Sequence, residues 1–197
     1  MSRLVESSVP THASDFPCIE LINSSFSDYL GSNRTVDRLP LEEWRQWLLE
    51  RYGLTPRRPD PAPIDRLQAL RNDLRAILGR WAEQGVVEER DARTLDGWIS
   101  PATARERITV AAGRLESRLE PVSSDWTWTI SRIGASAVQL IAKGEAQRLK
   151  VCSNPSCSWL YYDRTLNASK QYCSTNPCAS LVRVRRFRRA SRSTQDR

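Results

Sequence analysis

Apolar residues recur every three or four positions in one stretch above all. Ile64, Leu67, Leu70, Leu74, Ile77, Leu78 and Trp81 line a single face and predict an amphipathic helix that ends near Gly85. A shorter helix is expected over Asp91–Ile99, stopped by Ser100-Pro101. Upstream, Ile19, Leu21, Ile22, Phe26, Tyr29 and Leu30 fall at roughly helical spacing, with Asn23 as a polar intruder. In "RLPLEEWRQWLLERYG", Leu41, Trp44, Trp47 and Leu48 share a face behind Pro40, Glu42 and Glu43 favour the first turn, and Gly53 ends the run. "TPRRPDPAP" at 55–63 has four prolines and is a connection rather than helix interior.

The period changes after residue 105. Ile108 and Val110 alternate with polar residues, Ala-Gly-Arg offers a turn, and Leu115 opens a second alternating run, which predicts a short β-hairpin. A long helix follows, capped by Ser124 or Asp125 and packed through Trp128, Ile133, Ala137, Leu140 and Ile141. It leads into "VCSNPSCSWLYYDRTLNASKQYCSTNPCASLVRVRRFRRA", residues 151–190. The expected fold class is mainly α with a short β-hairpin (α+β). A helical N-terminal domain over 1–149 would precede a small four-cysteine finger of treble-clef type over 150–190 and a disordered tail over 191–197.

The chain has five cysteines, and four of them lie in this segment as Cys152-x4-Cys157 and Cys173-x4-Cys178. Two close pairs across a short loop suit one tetrahedral Zn2+ held by four thiolates. The N-terminus lacks a signal-peptide core and no long apolar run exists, so a cytoplasmic chain without a membrane segment is expected, where clustered thiols are metal ligands before disulfides. The residues between the pairs fit a hairpin, with Trp159 and Tyr161 alternating, a turn over Asp163–Asn167, and Tyr172 on the return. Asn-Pro precedes the second cysteine of each pair, and Pro177 is a natural first helical residue, which would put Cys178 in the first turn of a helix. Such a closed structural site, one zinc per chain, would supply much of the finger's folding free energy, on the scale of ~10–16 kcal/mol for zinc-finger peptides. Cys18, alone in an apolar run, reads as a buried small hydrophobe.

Charge sharpens the picture. The net charge is +7, yet residues 143–197 carry twelve Lys/Arg against three acidic residues, and the rest of the chain is slightly negative. Arg183, Arg185, Arg186, Arg188, Arg189 and Arg192 cover most of the helix beyond Cys178, with Leu181, Val184 and Phe187 as a narrow stripe able to pack on the hairpin. Arginine matches phosphate and guanine edges bidentately, so DNA is the expected partner, with Arg164, Lys170 and Lys150 extending the patch. The other reading is a protein-interaction module that docks an acidic protein, or RNA stacked on Tyr161, Tyr162 and Tyr172. An enzyme finds little support: there is no glycine-rich phosphate loop or HExxH, and the sole histidine, His12, stands apart. Asn23 and Trp47 are candidates for a small-molecule pocket in the helical domain, although tryptophan at helical spacing, as at Trp44, Trp81, Trp98, Trp126 and Trp128, is usually core. A homodimer is expected on the ground that one short recognition helix reads few base pairs.

These motifs resemble the CGNR zinc-finger family, in which a helical ABATE domain precedes a C-terminal finger in stress-induced bacterial, often actinobacterial, transcription regulators. The resemblance lies in Cys152, Cys157-Ser-Trp-Leu-Tyr-Tyr-Asp163-Arg-Thr-Leu-Asn167, Tyr172-Cys173 and Cys178 followed by a basic helix. "CIELINSSFSDY", "LEEWRQWLLERYGL" and "DWTWTISRIGASAVQLI" are similar to the family's N-terminal helices, so the likeness spans nearly the whole chain. It implies four cysteine zinc ligands and DNA binding. The tetrad that names the family stands here as Cys178-Ala179-Ser180-Leu181, so Leu181 takes the place of its arginine and Arg183, Arg185 and Arg186 carry the DNA reading.

Overall fold

A computed structural model describes residues 14–27, 34–56, 60–122 and 125–195, without the side chains of 175–176, 189–190 and 192–195. His12, Tyr29, Leu30, Ser124 and the middle of the proline-rich connection lie outside the described residues, as do the side chains of Arg189 and Arg192.

The first helix, α1, is Pro17–Asn23, much shorter than the apolar spacing predicts. Phe26 instead sits in a strand, β1 (Ser25–Ser27), antiparallel to β2 (Thr35–Asp37). Two arginines of the later helix α3 fix this corner. Arg71 donates to Ser24 Oγ (2.8 Å) and to both carboxylate oxygens of Asp37, while Arg75 donates to the carbonyls of Ile22 (2.7 Å) and Ser25 (3.1 Å). Helix propensity in α1 is overruled by these non-local bonds to its C-terminal end.

The expected helices follow. α2 (Glu42–Tyr52) ends at Gly53 and α3 (Ile64–Gln84) at Gly85, both glycines left-handed (φ 62° and 73°). α4 (Glu89–Ile99) opens with a capping box in which Glu88 and Asp91 satisfy each other's backbone N–H groups, and Arg80 pairs with Asp91. The hairpin β3 (Ala104–Ala111) and β4 (Arg114–Pro121) is longer than foreseen and turns at Ala112-Gly113, both at positive φ. α5 (Trp126–Lys143) is capped by Asp125, whose carboxylate accepts from the N–H groups of Thr127 (2.9 Å) and Trp128 (3.1 Å). No described helix is long and apolar enough to cross a membrane.

α1 packs against α3 and α5, with α2 beside α1 and α4 against α5. The core they enclose includes Ile19, Leu21, Ile22, Trp44, Leu70, Leu74, Leu78, Ile130 and Ile133. It does not stop at the domain boundary read from the sequence. Leu149 of β5 (Leu149–Val151) and Leu160 of β6 (Leu160–Tyr162) belong to the same buried cluster. The finger therefore shares a core with the helical body.

Candidate metal centre and basic helix

β5 pairs antiparallel with β6, joined through the first cysteine pair. This differs from the expected hairpin between the pairs: Tyr172 returns in no strand, and Asp163–Asn167 is a turn closed by side chains. Three-residue strands carry too little alternation for their partner to be read from sequence. β6 alternates faces all the same. Leu160 and Tyr162 meet the helical body, whereas Tyr161 packs among the cysteines with Trp159 and Tyr172.

Around the site, Asn154 is fully buried and shapes the first knuckle. Its Oδ1 accepts from Ser156 N (3.2 Å), its carbonyl accepts from Cys157 N (2.8 Å), and its Nδ2 donates to Cys178 Sγ (3.6 Å). Cys173 N donates to Cys152 Sγ (3.5 Å). Donors aimed at sulfur favour the thiolate over the thiol. The four Sγ atoms lie within 4.8 Å of one another, with Cys157–Cys173 at 3.9 Å and Cys173–Cys178 at 3.6 Å. A tetrahedron with Zn–S bonds of ~2.3 Å has edges of ~3.8 Å, so the donor set fits zinc. Cys152, Cys157, Cys173 and Cys178 thus make one structural zinc site whose four positions are all filled by protein sulfur. Cys18 lies elsewhere, buried in the core, where desolvation pushes its thiol up to about 12 despite a hydrogen bond with Ser136.

Asp163 is a second hub that sequence reasoning placed only in a turn. It is fully buried and accepts from Lys150 Nζ (2.8 Å), Lys170 N (2.8 Å), Thr165 N (2.9 Å) and Thr165 Oγ1 (2.6 Å). Burial alone would raise its carboxyl, but these donors hold it well below the usual range. Lys150, expected to extend the basic patch, is consumed by this brace: it also bonds the carbonyls of Ala168 and Lys170.

The arginines fall into two groups. Cys178 lies in a wide π-type turn, Thr175–Ala179, and α6 (Ser180–Gln195) starts after it, a little later than Pro177 and continuing into the stretch expected to be a tail. Arg183, Arg186 and Arg188 are exposed on α6, and half-buried Arg185 donates to Ser156 Oγ (3.2 Å) on the first knuckle. Of the predicted apolar stripe, Leu181 is half-buried, but Val184 is 45% and Phe187 73% exposed, so these two do not pack on the hairpin. Arg164 and Lys170 lie apart from α6, in a cleft between finger and body. Arg164 pairs with Asp15 (3.0 Å) and lies over Phe16, while Lys170 Nζ sits over the Tyr161 ring.

Of the two pocket candidates, Asn23 lines this cleft of about 400 Å3, together with Glu20 and Trp159. Its amide is already engaged: Nδ2 donates to the Leu160 carbonyl (2.8 Å) and Oδ1 accepts from Leu160 N (2.9 Å). It is a clamp holding β6 to α1. Trp47 packs tilted against Trp44, with ring centroids 6.4 Å apart, as part of the core. Glu20 is the group the sequence reading overlooked. Its carboxyl is buried and pushed up to about 7 by desolvation, against the pull of Ser14 N–H, Arg38 and Arg51. Trp159, whose ring also lines the cleft, has its Nε1 buried without a hydrogen-bond partner among the described residues.

Two family models match this chain. Residues 15–144 match ABATE, described as a putative stress-induced transcription regulator, and residues 148–190 match the CGNR zinc finger. No curated protein matches the chain.

Proposed function

Because the chain belongs to the ABATE family and carries its CGNR zinc finger, we propose that it regulates transcription by binding DNA through α6. The observation that carries this reading is the mounting of the basic helix. Its first residue follows directly on the turn that holds Cys178, and Arg185 is tied to the first knuckle, so the zinc site fixes where α6 points. Arg183, Arg186 and Arg188 then stand exposed on a braced helix rather than a loose tail. Arg185 belongs to the same basic stretch, which the sequence continues with Arg189 and Arg192. Clustered guanidinium groups repel one another, and a polyanion relieves that cost. The protein acts by binding rather than by catalysis, in the cytoplasm where DNA is reached.

The cleft between finger and body adds a place for a small-molecule effector to this reading. A small molecule bound beside Glu20, Asn23, Arg164 and Lys170 would touch both the body and the finger and so bias the placement of α6. A competing reading is favoured by one observation: exposed Val184 and Phe187 among arginines also suit an acidic amphipathic protein segment.

Binding of the zinc-loaded chain to duplex DNA fragments across a salt series separates the two. Six phosphate contacts give a log–log salt slope of about −5. Changing Arg183, Arg185 and Arg186 to Ala should roughly halve that slope and lower affinity across all fragments. Salt-insensitive or absent binding by the folded, zinc-loaded chain would overturn the DNA reading.

A further inference from the structure

The β3–β4 hairpin is a two-stranded sheet, and every residue of β4 from Arg114 to Leu119 is exposed. One face carries Ile108 (59% exposed), Val110 (70%), Leu115 (78%) and Leu119 (60%). An isolated hairpin is at best marginally stable in water, and an open edge invites another strand. The Val122 N–H donates to the Thr103 carbonyl (3.0 Å). Strand alternation then makes 105/120, 107/118, 109/116 and 111/114 the hydrogen-bonded pairs of the hairpin. The N–H and C=O groups of Leu115, Ser117 and Leu119 therefore point away from β3, along the free edge.

The β4 sequence Arg114-Leu-Glu-Ser-Arg-Leu-Glu120 is its own complement when reversed about Ser117. We propose that β4 is the dimerisation edge of the protein and pairs antiparallel with β4 of a second copy on a twofold axis through Ser117. In that register Ser117 meets Ser117, and Leu115 meets Leu119 of the other copy. These are the residues with outward backbone groups, so they form hydrogen-bonded pairs. On the opposite face Arg114 meets Glu120 and Glu116 meets Arg118, each twice by symmetry. All four cross-strand charge pairs are opposite in sign.

Neighbouring registers are excluded by the same charges. Centring on Glu116 sets Glu116 against itself and Arg114 against Arg118. Centring on Arg118 sets Arg118 against itself and Glu116 against Glu120. Within one copy Glu120 already bonds Arg107 and Arg118 (2.8 Å to the latter), and these exposed pairs redistribute at little cost. The product is a four-stranded sheet, β3–β4–β4–β3, whose apolar face joins Ile108, Val110, Leu115 and Leu119 of both copies. Three or more strands with an apolar face meet the requirement that the lone hairpin fails. The inference stands independently of DNA binding, because it concerns the hairpin alone.

Sedimentation equilibrium of the zinc-loaded full chain, without DNA, tests it by charge exchange. The wild type should be a dimer. Glu116→Arg and Arg118→Glu each put like charges opposite across the axis twice, and each should weaken the dimer by about tenfold or more. The double variant E116R/R118E restores complementarity and should dimerise again. An equimolar mixture of the two single variants should form the heterodimer, since the introduced arginine of one chain then faces the introduced glutamate of the other. Recovery there also shows that both chains were folded. A monomeric wild type, or a dimer indifferent to the single variants, would overturn the proposal, as would failure of the double variant and the mixture to recover.

Discussion

Two of the three antiparallel strand pairs among the described residues are of opposite character. β5–β6 has only three residues in each strand, yet both its faces are covered: Leu149 and Leu160 enter the core of the helical body, and Tyr161 packs on the cysteines. β3–β4 has eight residues in each strand and is open to solvent on both faces. Length and alternation make the second the better hairpin on local grounds, while burial makes the first the more consequential. Stability in this molecule follows what a strand touches rather than how well it is patterned.

The contrast is broken most severely at the metal. β5–β6 bridges the zinc site and the core, so removing zinc, or changing fully buried Cys178 to Ser, should unfold the finger and destabilise the body with it. The chelated chain should melt at a clearly lower temperature and in one transition, as followed by tryptophan fluorescence. Next in size, Leu160→Ala should cost about 2–5 kcal/mol in chemical denaturation, as for a large-to-small change in a packed core. Leu115→Ala at the same hairpin position type in β4 should fall within about 0.5 kcal/mol for the monomer. Equal costs at the two sites would erase the distinction.

A third test of the body is a pH dependence at Glu20. Its folded carboxyl titrates near 7 and an unburied one near 4.5, so between these values the folded state holds the proton more tightly. The contribution is fully present below about 4.5 and is lost as pH rises through about 7. Glu20→Gln should therefore flatten stability over that window, measured by urea denaturation at several pH values. A wild type whose stability rises across the window relative to the variant would contradict the burial of this carboxyl.

Much of this was legible in the sequence, for local reasons. The 3.6-residue period and the terminal glycines give α2 and α3, alternation around Ala-Gly gives β3–β4, and cysteine spacing gives the zinc site. The remainder depends on partners far away in the chain. α1 ends early where Arg71 and Arg75 of α3 take Ser24 Oγ and the Ile22 and Ser25 carbonyls, and the Asn23 amide takes the backbone of Leu160; no window around residue 23 contains that information. Arg164 looked like part of the basic patch until Asp15 claimed it. Asn154 stands in the sequence only as the Asn of the first Asn-Pro pair, yet it is also a donor to a zinc-ligand sulfur. In each case a polar side chain had a local reading and a distant partner that outweighed it.

The central claim is that finger and body are one folding unit joined through β5–β6, with β3–β4 outside it. Amide hydrogen exchange on the zinc-loaded and zinc-stripped chain tests this most directly. Loss of zinc should remove protection from residues 149–163 and weaken it in α1 and α3, while β3–β4 exchanges at an unchanged rate. Loss confined to the cysteine segment and α6, with α1 and α3 as protected as before, would contradict it.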